Sequence, residues 1–472
     1  MKSRSKIQLV LMNPIPRLII SHSQAKLIIH FDLIDISSNL MASFSSFLFI
    51  TSTLVIVLIS VPFSNAQPTS SSRPQGVVLP ITKDASTLQY LTYMKQRTPL
   101  ASESLVIDLA GEFQWVDCEN GYVSSSNRTL RCLEKECGWI SSVSCGRPPT
   151  PPELQPCLGY VYLSNKGVFA SDVVAIQSSV NGSIAGPHVA IKKFLFGCGS
   201  TYFLQGLAKG VKGVAGFGAF QVSIPSQFSR ALRIPRVFSM CLPSSTAFSS
   251  KGVIFVGGGS YKMQPGIDLS SSLTYIPFHS SLIGPSYTSG YYIQVKSINI
   301  GGKEVPMVSD NITFDNLGFM KLTSISTLNP YTVLPSSVYK PFISIFIEKS
   351  RAMGIARVAS VAPFGACFDS SNIISTRLGG LVPEINFVLH TKKAVWKFYG
   401  SNSMVKVSNN VSCLGFVDGG EYANLVIGGH QLEDNLLEFN LAKKILGFTS
   451  ALAQQTSCSN FKLGRNFLAA RL

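Results

Sequence analysis

One pattern occurs twice in this chain, and it limits what the chain can become. In the first copy an apolar run enters a turn, Leu105-Val106-Ile107-Asp108-Leu109-Ala110-Gly111, and leaves it as Phe113-Gln114-Trp115-Val116. About 100 residues later comes a second apolar run closed by glycines, Gly213-Val214-Ala215-Gly216-Phe217-Gly218. The second copy has the turn Ser326-Thr327-Leu328-Asn329, the exit Pro330-Tyr331-Thr332-Val333-Leu334-Pro335, and the closing run Leu425-Val426-Ile427-Gly428-Gly429. A pattern repeated at this distance predicts two similar halves. It is not the short period of a solenoid or a propeller, since no 20–50-residue repeat exists.

Between these copies the sequence reads as all-β. Short β-branched and aromatic runs, bounded by Gly, Ser, Asn and Pro, predict strands at 104–108, 168–176, 193–196, 253–256, 291–300 and 424–427. Gly301-Gly302 between Ile298-Asn299-Ile300 and Glu304-Val305 predicts a tight hairpin. Helical periodicity is confined to Ser336–Met353 and Pro225–Leu232. The stretches 68–73 and 148–156 are loop-like.

The stretch from Met41 to Ala66 has the apolar core and the small-residue end of a secretory signal peptide, so residues 41–66 are expected to be removed. Residues 1–40 then read as an upstream extension of the gene model. The expected organisation continues with an N-terminal β lobe at 67–285, a C-terminal β lobe at 286–462 and a flexible tail at 463–472. No transmembrane anchor is expected in the mature form, because a Pro and a cleavage-type site follow the apolar run instead of a basic flank. The formal charge is +16, and residues 1–66 carry +3 of it, which leaves +13. No run of five Lys or Arg occurs, so nucleic-acid binding, which wants a clustered stripe, is not expected. An acidic partner is: cell-wall polysaccharide, an anionic membrane surface or an acidic protein.

All ten cysteines follow the leader: Cys118, Cys132, Cys137, Cys145, Cys157, Cys198, Cys241, Cys367, Cys413 and Cys458. In a secreted chain this even count predicts five disulfides. No CxxC pair occurs and the six histidines stand apart, so neither a metal nor a cofactor is expected. Sequons at Asn127, Asn181, Asn311 and Asn410 predict a glycosylated surface.

The two turns with their glycine-closed partners resemble the plant branch of the pepsin-like aspartic proteases. More narrowly they are similar to the extracellular dermal glycoprotein, basic 7S globulin, γ-conglutin and xylanase/xyloglucanase inhibitor group. The likeness rests on Val106–Leu109 with Trp115–Cys118, Asn329–Leu334, Arg357–Cys367, Gly400–Val405 and Ile427–Asn435, and it spans about residues 78–462. It implies a bilobal pepsin-like fold in which each lobe carries apolar-apolar-Asp-Thr/Ser-Gly.

Aspartic proteolysis needs two carboxylates that share one proton. Asp108 fills the first position. Counting back from Leu334-Pro335 puts Ser326 at the second, and a serine hydroxyl can neither share that proton nor act as the base. Leu109 also stands where the family's enzymes carry a hydroxyl. The resemblance therefore implies a relic dyad, Asp108 and Ser326, and no functional catalytic residue; residual aspartic endopeptidase activity is the alternative. With the lobes assigned, Cys367–Cys413 and Cys241–Cys458 are the expected bridges, and the other six cysteines pair among themselves in an order that spacing does not give. The resemblance also implies more cysteines near 145–157, where this chain is Pro-rich.

Other chemistries fit poorly. No GxSxG elbow occurs, and His188, His279, His390 and His430 sit in unrelated contexts. Glu433 and Asp434 are adjacent and are expected to be a solvated cap after the glycine pair, not a glycosidase pair. Gly257-Gly258-Gly259 lacks the Lys-Ser/Thr of a phosphate loop. Inhibitors in the resembling group place a basic side chain in the acidic cleft of a microbial glycoside hydrolase, and Arg357 is the matching candidate here. A second contact loop falls at Gly419–Asn424, with Glu421 where a base would serve. The expected role is thus a secreted, apoplastic or cell-wall defence protein that binds xyloglucanase, glucanase or xylanase. A seed storage or peptide-binding 7S-like globulin is a further alternative.

Overall fold

Leu105, Val106 and Ile107 are fully buried, as a strand with neighbours on both edges and both faces requires. In the computed structural model they belong to the strand Ala101–Asp108. That strand pairs antiparallel with Tyr90–Gln96 and parallel with Gly213–Gly216, in the register Ile107↔Ala215 and Asp108↔Gly216. Gly213–Gly216 then pairs antiparallel with Trp115–Asp117, the strand that leaves the turn. The second half repeats this arrangement. Thr323–Ile325 runs parallel to Val426–Ile427 with Ile325 opposite Ile427, and Thr332–Leu334 returns antiparallel to it. By register, position 326 is the counterpart of position 108.

Two glycines show how tightly the copies match. A Cβ on Gly216 would lie 2.2 Å from the Phe113 carbonyl oxygen, and one on Gly428 would lie 2.2 Å from the Tyr331 carbonyl carbon. Phe113 and Tyr331 each stand five residues past the turn residue of their own half. Only glycine lets the closing strand pass this near the returning backbone.

The structure describes residues 74–461, apart from 142, 146–150, 152, 163–164, 181–182, 281–289, 308–322, 390 and 392. The expected leader and the extension before it, Asn181, Asn311, His390 and the tail 463–472 lie outside the described residues. A 14-stranded sheet organises the N-terminal half. The strands Asn435–Asn440 and Ile445–Ser450 come from the far end of the chain and join it through Val237–Cys241. Around that joint Phe238 stacks on Phe439 at 4.8 Å, and Tyr291 lies 4.3 Å from Phe439. One apolar cluster therefore runs continuously through both halves. Among the described residues the C-terminal half holds one five-stranded, two four-stranded and one two-stranded sheet. The fold is all-β and pepsin-like, with few helices.

Among the described residues the α-helices are Ile224–Leu232 and Ser336–Ala352, plus single turns at Gly400–Ser403 and Gly429–Leu432. Ser297–Ile300 and Lys303–Glu304 pair across Gly301 and Gly302, whose φ angles of +51° and +79° suit a primed two-residue turn. The expected strand 291–300 is broken: Tyr291–Ile293 pairs with Thr323–Ile325, and Ser297–Ile300 pairs with Ile385–Val388. Five disulfides form: Cys118–Cys198, Cys132–Cys145, Cys137–Cys157, Cys241–Cys458 and Cys367–Cys413. The two expected pairings are present, and the six N-terminal cysteines pair among themselves.

Candidate functional site

The turn after Ala101–Asp108 closes on its own carboxylate. The Ala110 amide donates to Asp108 Oδ1 at 2.8 Å. The Asp108 carbonyl accepts from the amides of Phe217 at 2.8 Å and Gly111 at 3.2 Å. Burial raises the Asp108 pKa, and hydrogen bonds from the Ala110 and Gly111 amides pull it back in part.

The second turn is built the same way around a hydroxyl. Ser326 Oγ accepts from the amides of Leu328 and Asn329, each at 3.2 Å, while the Ser326 amide donates to the Ile427 carbonyl at 2.9 Å. The amide cradle that holds Asp108 is thus present in the second half and holds Ser326. Among the described residues no hydrogen bond or ion pair joins Asp108 to another carboxylate.

Thr327, which the sequence reading did not single out, joins the two turns. Its Oγ1 donates to the Ile107 carbonyl at 2.7 Å and accepts from the Leu109 amide at 3.3 Å. Leu109, fully buried, has no hydroxyl to return the contact. Its signal in the sequence was its place directly after the turn residue, where the resembling family carries Thr or Ser. Leu328 presents a 41% exposed side chain beside Ser326, where the resembling enzymes carry glycine. Peptide hydrolysis by this architecture needs two carboxylates that share a proton, and a serine hydroxyl is no substitute for one of them.

Glu433 and Asp434 are not a solvated cap. They are 2% and 4% exposed. Lys83 Nζ lies 2.5 Å from Glu433 Oε1, and the Tyr90 hydroxyl donates to the same oxygen at 2.7 Å. His430 Nδ1 lies 3.1 Å from Oε2. Burial alone would raise the Glu433 pKa, but the hydrogen bond and charge of His430, then Lys83, hold it below the usual carboxylate range. Asp434 accepts the Cys458 amide at 2.8 Å, and burial raises its pKa. A buried charge must be paired. Lys83 and Tyr90, paired across the loop of the first hairpin, supply the partners.

Arg357 lies exposed on the two-residue strand Arg357–Val358. Its loop is anchored by the Gly365 amide, which donates to the Tyr339 hydroxyl at 3.1 Å, and by the Cys367–Cys413 bridge. The 419–424 loop hangs on the same helix. Asp418 accepts from the Ser336 hydroxyl at 2.6 Å, and the Ser336 amide donates to Gly420 O at 3.0 Å. The first turn of Ser336–Ala352 therefore positions both segments. Tyr422 at the tip is 95% exposed. Of the sequons, Asn127 and Asn410 are exposed. Among the described residues no helix is long and apolar enough to cross a membrane.

Two facing turns, each closed by a parallel glycine-bearing strand, define a pepsin-like aspartic-protease fold. An Irpex lacteus aspartic proteinase shares it at a TM-score of 0.50 and 14% identity, over 81% of this chain and 99% of that one. Within that class the sequence matches the xylanase inhibitor N-terminal family over residues 90–258 and the xylanase inhibitor C-terminal family over 290–450. The chain belongs to this plant family, with the extracellular dermal glycoprotein and the 7S globulins. It is 47% identical to "Probable aspartic proteinase GIP2" of Nicotiana benthamiana, over 86% of this chain and 96% of that protein. It is 37% identical to gamma conglutin 1 of Prunus dulcis, over 90% and 98%. Among solved structures, "Crystal structure of edgp" aligns at a TM-score of 0.78 and 44% identity, over 83% and 99%.

Proposed function

We propose that this chain is a secreted, catalytically inactive aspartic-protease-like protein that binds and inhibits microbial cell-wall-degrading glycoside hydrolases. The observation that carries the inactive part is the amide cradle of the second turn, filled by Ser326 Oγ instead of a carboxylate. The inhibitory part is supported by the family match and by Arg357, exposed on a disulfide-anchored loop. A glycosidase cleft concentrates carboxylates, and a guanidinium pairs with them through two parallel hydrogen bonds. The five disulfides and the leader-like 41–66 support an extracellular, apoplastic location.

The test is reducing-sugar release by a panel of microbial xyloglucanases, glucanases and xylanases mixed with the mature protein. Inhibition of at least one, lost in Arg357→Ala, is expected. Inhibition unchanged in that variant rejects Arg357 as the contact, and inhibition of none rejects the reading. A second reading, a storage or peptide-binding globulin, is favoured by the likeness to gamma conglutins, and abundance in seed without any inhibition would select it. Protein digestion in acid that disappears in Asp108→Ala would select an aspartic endopeptidase instead.

A further inference from the structure

A cavity of about 410 Å³ lies between the helix Ile224–Leu232, the strands Asn165–Val180 and Ser183–Gly199, and the segment carrying Arg128 to Trp139. Neither Arg357 nor any residue of the two turns lines it. The half-buried indole of Trp139 forms one wall, with the Arg230 guanidinium stacked 4.2 Å from its centroid and Lys135 Nζ 5.9 Å away. Arg230 Nη2 also donates to the Gln221 carbonyl at 3.2 Å, so the guanidinium is held in place.

The wall is stiff. Cys132–Cys145 and Cys137–Cys157 pin the Trp139 segment. Gln227 is tied by both side-chain ends to Leu195 and to the Val222 carbonyl. Arg128 and Glu134 close on each other through two bonds of 2.9 and 2.7 Å and leave no net charge. That leaves Arg230 and Lys193 against Glu136. Among the described residues neither cation forms an ion pair. Burial, then Arg236, works against the charge on Arg230, so an incoming anion would relieve it.

The chemistry that answers this arrangement is a carboxylated sugar. Pyranose rings offer C–H faces to an indole and hydroxyls to polar side chains, and a carboxylate pairs with guanidinium and ammonium groups. The volume falls at the small end of ligand pockets, roughly 300–1,000 Å³, which suits one or two rings. We propose that this cavity binds a short oligosaccharide of uronic acids, independently of any glycosidase contact through Arg357.

Calorimetric titration of the full mature protein with tetragalacturonate and with neutral cellotetraose tests this. Indole fluorescence gives a second readout, because Trp115 and Trp396 are buried and a surface ligand reports through Trp139. Tetragalacturonate is expected to bind with an affinity that falls as salt is added, and cellotetraose is not. Trp139→Ala and Lys193→Glu are each expected to weaken binding about tenfold or more. Lys193 is exposed, so Lys193→Glu remains informative if Trp139→Ala lowers stability. No binding of tetragalacturonate, equal affinity for both oligosaccharides, or unchanged affinity in Lys193→Glu overturns the proposal.

Discussion

The Thr327 hydroxyl and the Ile107 carbonyl meet at 2.7 Å across the two halves of the molecule. The same oxygen accepts the Leu109 amide at 3.3 Å, so one side chain satisfies two buried backbone groups. Thr327→Val keeps the shape and removes both partners. A buried group left unpaired costs about 1–3 kcal/mol. Urea unfolding should therefore show a loss of at least about 1 kcal/mol. A variant as stable as the parent would mean that the bridge contributes nothing.

Asp108 gives the molecule a pH dependence of definite sign. Its pKa is raised in the folded protein, chiefly by burial. A group raised on folding stabilises fully below its unfolded pKa, and that contribution is lost as pH rises through the folded value. Asp108→Asn keeps an oxygen for the Ala110 amide and carries no charge to bury. Its melting temperature should exceed the parent's at neutral pH, and the gap should close in acid. A pH-independent difference would assign the effect to packing.

The duplication was legible because both halves need the same local devices: a continuous apolar run for a two-sided strand, then a glycine that admits close backbone. Position 326 could be found by counting because Leu334-Pro335 closes the second turn as a rigid marker, and the pairing of Ile325 with Ile427 leads to the same residue. The break at 294–296 could not be seen. The chain changes sheets there, and a β-forming run looks the same whichever sheet it joins. Glu433 was misread because its neighbours in sequence are polar, while Lys83 and Tyr90, which decide its state, lie 350 and 343 residues away. The Trp139 cavity depends on disulfide connectivity that cysteine spacing does not encode.

The bridges should differ in worth according to the chain they close. Cys241–Cys458 spans 217 residues and Cys132–Cys145 spans 13. The loop-entropy relation gives about 5 kcal/mol for the first and about 3 kcal/mol for the second. Replacing both cysteines by serine in each pair, and comparing denaturant midpoints, should rank the losses in that order. The reverse order would show that local packing of the 132–145 segment outweighs chain entropy.

Lys83 and Glu433 should act as a latch between the first hairpin and the end of the second half. Glu433 is held below its ordinary pKa against the opposing effect of burial. A depressed carboxylate stabilises above its unfolded pKa, and that contribution is lost as pH falls toward the folded value. Stability should thus drop in acid in the parent, and the drop should be shallower in Glu433→Gln. Lys83→Met leaves Glu433 buried with Tyr90 and His430 but without its lysine, and breaking a buried pair costs about 3–5 kcal/mol. His430 remains within 3.1 Å, so the loss should sit at the low end of that range. Denaturant midpoints measured across the acid range for the two variants separate the charge effect from packing. A Lys83→Met protein as stable as the parent at neutral pH would show that Tyr90 and His430 suffice to compensate the carboxylate.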